Sequence, residues 1–123
     1  MSKVQFRPYT SDQLPLGFTY PAALLALVNQ PDVPDLNPWQ FIDATSKVGQ
    51  LAYAVRQSDG RNLIPFASVE DDRKDIACFD GDDTTGSPAV LMLVVDGSGR
   101  SYAYADFAAW LETARLEAAR WRG

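Results

Sequence analysis

The sequence predicts an α+β domain: a mostly antiparallel, twisted sheet flanked by helices, with an amphipathic C-terminal helix on one face. Three observations predict it. From Asn62 to about residue 105 the chain reads as short strands separated by turn signals. After them, Phe107, Trp110, Leu111, Ala114, Ala118 and Trp121 recur at helical spacing and share one face. Ahead of both lies a proline-led apolar segment, YPAALLALVNQ.

The elements follow in order. Pro21 suits the first position of a helix, and Leu24, Leu25, Leu27 and Val28 give it an apolar face. A helix is expected over about 21–29, stopped by Pro31 and Pro34. Residues 36–42, LNPWQFI, suit an extended segment. Residues 44–58 fit two periods. Val48, Leu51, Ala52 and Val55 match a helical face, whereas Leu51, Tyr53 and Val55 alternate as a strand would. Helix is the preferred reading, closed by Asp59-Gly60. LIPFA is a strand whose Pro65 suits an edge or a bulge. DIACF is a second strand. PAVLMLVV, apolar on both faces, is a third and is expected to be central. Asp96-Gly97-Ser98-Gly99 is a turn, after which SYAYA pairs back as a hairpin. In the last helix Asp106 is a good N-cap, and Arg120 and Arg122 oppose the dipole at the far end.

The chain has 123 residues, the size of one domain spanning 1–123. Its longest apolar run, AVLMLVV, is far short of the roughly 20 residues a membrane helix needs. The start, MSKVQFRPYT, lacks the apolar core of a signal peptide, so a cytoplasmic location is expected. The lone Cys78 cannot form an internal disulfide and fits a reducing compartment. There is no histidine. That removes Ser-His-Asp and Cys-His nucleophile activation and histidine-containing zinc sites. The expectation is a protein that is not an enzyme and takes no cofactor or metal.

The net charge is −5, and residues 70–83 carry all of it. That stretch holds Glu70, Asp71, Asp72, Asp75, Asp80, Asp82 and Asp83 against Arg73 and Lys74; the rest of the chain has nine acids and nine bases. Phosphates need cationic contacts, so nucleic acid is a poor partner for such a surface. A basic protein is a better one. No membrane partner is expected.

The series of an early proline-led helix, PWQFI, LIPFA, an Asp followed by ACF, PAVLML and finally DFAAWL resembles the SUKH superfamily. That superfamily includes a fungal regulator of cell-wall synthesis and many small bacterial proteins. The resemblance spans roughly residues 14–118. Its most specific parts are Pro65-Phe66-Ala67, Asp75 with Cys78-Phe79, and Phe107-x-x-Trp110-Leu111. It implies a sheet domain that works by binding proteins, commonly as an immunity protein against a toxin such as a nuclease or deaminase. In one place the chain departs from the pattern. The family often has Asn-Gly after its first helix, whereas Asn29 is followed here by Gln30-Pro31.

The expected function is therefore toxin neutralisation by occlusion, with the seven acids of 70–83 as the partner-binding residues. Clustered carboxylates steer a cationic partner, and Asp71→Lys with Asp83→Lys should slow association. Tyr53, Tyr102 and Tyr104 are candidate anchors, or else pack on the sheet. A regulatory domain that binds an endogenous host protein is the alternative, and a carboxylate-based enzyme a minor one. Asp80, Asp82 and Thr84 match the first spacings of a calcium loop, but Thr85 and Leu91 stand where it needs glycine and glutamate. Phe66, Phe79, Phe107, Trp110, Leu111, Trp39 and Cys78 read as core, and Trp121 as packed on the apolar stripe. Leu116 falls on the opposite, charged face.

Overall fold

A computed structural model describes residues 8–10, 12–30, 36–37, 39–54, 62–69, 75–94 and 102–122. Its elements are α1 (Ala22–Val28), β1 (Trp39–Phe41), α2 (Lys47–Ala54), β2 (Leu63–Val69), β3 (Ile76–Asp80), β4 (Val90–Leu93), β5 (Ala103–Tyr104) and α3 (Phe107–Arg122). The five strands form one antiparallel sheet in the order β1-β2-β3-β4-β5. The α+β class and the C-terminal helix are as the sequence predicts. Among the described residues, no helix is long and apolar enough to cross a membrane.

Residues 47–54 form the preferred helix, but the face that the period marked is not the buried one: Gly49 and Ala52 are buried, whereas Val48 and Leu51 are exposed, and Val55 lies outside the described residues. The helix start is built locally. The Ser46 hydroxyl donates to the Asp43 carbonyl at 2.6 Å and accepts from the Gly49 N–H at 3.0 Å. That N-cap satisfies a donor the first turn leaves open. A Cβ at Gly49 would meet the Asp43 carbonyl oxygen at 2.2 Å, so only glycine fits there. The expected closure at Asp59-Gly60 lies outside the described residues. Helix α1 ends at Asn29 with φ −93° and ψ 0°, its N–H bonded to the Leu25 carbonyl at 3.2 Å. Asn29 itself is thus in the right-handed region.

In β2, Pro65 opposes Cys78 while Ala67 opposes Ala77, which leaves Phe66 as the extra residue of a bulge. The bulge resets the alternation of the strand. As a result Ile64, Phe66, Ala67 and Val69 all join the main core, whereas Leu63 faces the other side with Cys78 and Leu93. Pro65 sits at this bulge in a strand paired on both sides, not on a sheet edge. Strand β4 is interior, but β3 holds the middle position.

The main core is aromatic. The Phe66 and Phe79 rings stack at 4.2 Å between centroids, and Trp110 meets Phe66 edge-on at 4.9 Å. Helix α3 delivers Phe107, Trp110, Ala114 and Ala118 to this face. Asp106 caps it by accepting from the Ala109 N–H at 2.9 Å. Trp39 is also core, and its indole N–H donates to Glu117 at 3.2 Å, which ties β1 to α3. Trp121 corrects the sequence reading. It is 56% exposed, because α3 runs on past Ala118, the last of its buried residues. Leu116 points outward as predicted.

Candidate protein-binding site

Strand β3 divides the acidic stretch. It runs from Ile76 to Asp80, which at about 3.3 Å per residue separates its ends by roughly 13 Å. Asp75 precedes it, and Asp82 and Asp83 follow it in the loop to β4. Acids adjacent in sequence are thus carried to opposite ends of the sheet. Glu70, Asp71 and Asp72 lie outside the described residues.

Asp75 does not belong to a displayed surface. It is fully buried, and its carboxylate accepts a hydrogen bond from the Tyr102 hydroxyl. Its carbonyl accepts from the Val69 N–H at 3.1 Å, joining β2 to the start of β3. Burying a carboxylate is unfavourable unless donors meet it, and Tyr102 from beside β5 is one such donor. Asp75 is therefore an internal fastener between the two sides of the sheet, and it leaves the set of expected partner-binding residues.

Asp80 and Asp83 build their own loop. The Asp80 carboxylate accepts from the Asp82 N–H at 3.0 Å. Asp83 Oδ1 accepts from the Thr85 hydroxyl at 2.6 Å and the Thr85 N–H at 3.0 Å, and Oδ2 from the Ala89 N–H at 3.2 Å. The Thr85 hydroxyl first, then the Thr85 N–H, hold the Asp83 carboxyl below its ordinary 3.8. These oxygens face the loop's own donors and not a shared central point. Among the described residues no group of three or more acids or thiols could hold a metal ion. Asp82 is exposed. Of the described acids in the stretch 70–83, it alone is fully in the exposed class.

The three tyrosines lie at the margin of the core. The Tyr53 hydroxyl donates to the Gln13 carbonyl at 2.8 Å, Tyr102 serves Asp75, and Tyr104 meets the Tyr102 ring at 6.1 Å. All three are half-buried and packed against the core, so structural packing accounts for them.

Sequence reasoning missed a different feature. A notch of about 230 Å³ opens between β1 and the start of α2. Phe41 and Val48 form its apolar side; Gln40, Asp43, Ser46 and Ser68 bring polar groups. Beyond its rim, Val48 and Leu51 are 56% and 63% exposed, one turn apart on α2. The local signal was the Asp43-x-Thr45-Ser46 pattern, which announces a side-chain turn before a helix. What it could not announce is that β1 pairs Gln40 with Ser68 and so brings a distant strand to the same place.

Compared with family models, with curated proteins and with solved structures, the chain finds no match in any of the three.

Proposed function

We propose that this chain is a protein-binding module that serves as an immunity protein, neutralising a cognate toxin by covering its active or substrate-binding surface. The observation that carries the reading is the placement of charge: one stretch, 70–83, holds the whole net charge of −5 in a chain otherwise balanced. The resemblance to SUKH proteins supports the same reading. The partner is then a basic toxin domain, such as a nuclease or a deaminase. Its approach is accelerated by the acids that reach solvent, and its final hold rests on a few buried anchors. No chemistry is required of the immunity protein, which acts in the cytoplasm beside its target.

The geometry refines which acids can serve. Asp75 is committed to the interior and Asp83 to its loop, so a charge reversal at either would perturb the fold. Asp71→Lys combined with Asp82→Lys is the cleaner probe. The chain is co-expressed with the product of the adjacent gene, and growth, co-purification and stopped-flow association are measured. Rescue of growth and a stable complex are expected, with association slowed roughly tenfold at low salt in the double variant and its salt dependence flattened. An unchanged on-rate would reject the steering role. Failure to bind the neighbour, with capture of a host protein from uninduced cells, would favour the regulatory alternative.

A further inference from the structure

We propose that Leu16 is the apolar anchor of the protein interface, presented beside Asp82 and received by an apolar pocket with a basic rim on the partner. The partner rests on the protein-binding reading above; the surface rests on its own geometry.

Leu16 is 100% exposed, against 36% to 63% for the other large apolar side chains exposed among the described residues. It stands at the tip of a turn closed by the Phe18 N–H, which donates to the Pro15 carbonyl at 3.1 Å. Gly17 has φ +85°, the positive φ that a type II turn needs in its third residue. Leu14 and Phe18, two residues to either side, pack inward against the main core. Leu16 alone is turned out, and nothing in the turn geometry requires a leucine at its second position.

The turn stands on the acidic loop between β3 and β4. The Gly81 N–H donates to the Asn62 carbonyl at 2.7 Å, and a Cβ on Gly81 would meet the Pro15 ring at 3.0 Å. A Cβ on Gly17 would meet the Thr84 methyl at 3.2 Å. One foot of the turn thus rests on Gly81 and the other on Thr84, which bracket Asp82 and Asp83 in sequence. Asp83 is committed to Thr85 and Ala89 and holds the loop in shape. Asp82 is left exposed beside the turn. Both parts are set before a partner arrives, so docking orders little of this surface, which favours affinity.

The pairing of the two side chains selects the partner. A leucine on a fixed turn fits an apolar pocket. Asp82 calls for a cation at the rim of that pocket, and the net charge of −5 disfavours an acidic partner. A second copy of the chain fits poorly, because about a two-fold axis the patch would meet itself and bring the two Asp82 carboxylates together. A basic domain whose apolar pocket is rimmed by Lys or Arg satisfies both demands.

The test measures the complex with the product of the adjacent gene, using the full chain as wild type, Leu16→Ala, Asp82→Asn and the control Leu116→Ala, which truncates a 60% exposed leucine on α3. All four are expected to melt at the same temperature. Leu16→Ala is expected to shorten the lifetime of the complex roughly thirtyfold at an unchanged association rate. Asp82→Asn should slow association roughly threefold at low salt with little effect on lifetime, and Leu116→Ala should change neither. An unchanged lifetime for Leu16→Ala, or an equal loss for Leu116→Ala, overturns the proposal and leaves the immunity reading standing. Where the neighbour does not bind, the same variants are tagged and recovered from uninduced cells. A host protein held by wild type and Leu116→Ala but lost with Leu16→Ala overturns the immunity reading and keeps the anchor. A host protein held equally by all, or no partner from either source, overturns both. A dimer of the free chain that Leu16→Ala dissociates overturns the choice of partner.

Discussion

The two ends of β3 carry the same residue type and treat it in opposite ways. At one end Asp75 is sealed from solvent and bonded to Tyr102. At the other, Asp80 and Asp83 shape an open loop and Asp82 faces water. The difference lies in what each end meets. Tyr102, carried in beside β5, supplies a donor to the first; the second turns back on itself between β3 and β4. Formal charge summed along a sequence hides this. A five-residue strand is enough to divide one acidic run into a structural half and a surface half.

The sharpest way to break the comparison is at Asp75. Asp75→Ala is expected to lower stability by about 2–4 kcal/mol in urea unfolding, because it removes a buried acceptor of the Tyr102 hydroxyl and opens a void. Tyr102→Phe should remove about 1–3 kcal/mol. If the pair acts as a unit, the double variant loses less than the two single losses combined. Fully additive losses would show that Asp75 is not held by Tyr102.

A smaller effect is expected at Asp83, and it carries a pH signature. The folded carboxyl lies below its ordinary 3.8, so its hydrogen bonds add stability above that pH. The contribution is lost as pH falls through the lowered value. Thermal melts of wild type and Asp83→Asn should therefore differ at neutral pH and converge on acidification, with a gap well below that for Asp75→Ala. A gap that widens in acid would contradict the geometry. The smallest effect belongs to Asp82→Lys, which should leave the melting temperature unchanged and alter only the rate of partner association.

Much of the fold was legible because helix and strand periods are local. The stripe from Phe107 to Ala118 and the Asp106 cap fixed α3, and Pro65 marked the bulge. Trp121 was misjudged because periodicity gives a face but not the extent of the core beneath it. The site was less legible. Charge counting grouped seven acids in one stretch but could not distinguish a buried Asp75 from an exposed Asp82, since the burial of Asp75 involves a tyrosine 27 residues away. The notch was invisible because Gln40 and Ser68 meet only through strand register.

Cys78 lies on the middle strand with no exposed surface, and it is the chain's only thiol. A thiol-specific dye should ignore the native protein and label it no faster than the sheet opens. The unmodified molecule thus contains its own clock for unfolding, readable at any temperature without tag or engineered probe.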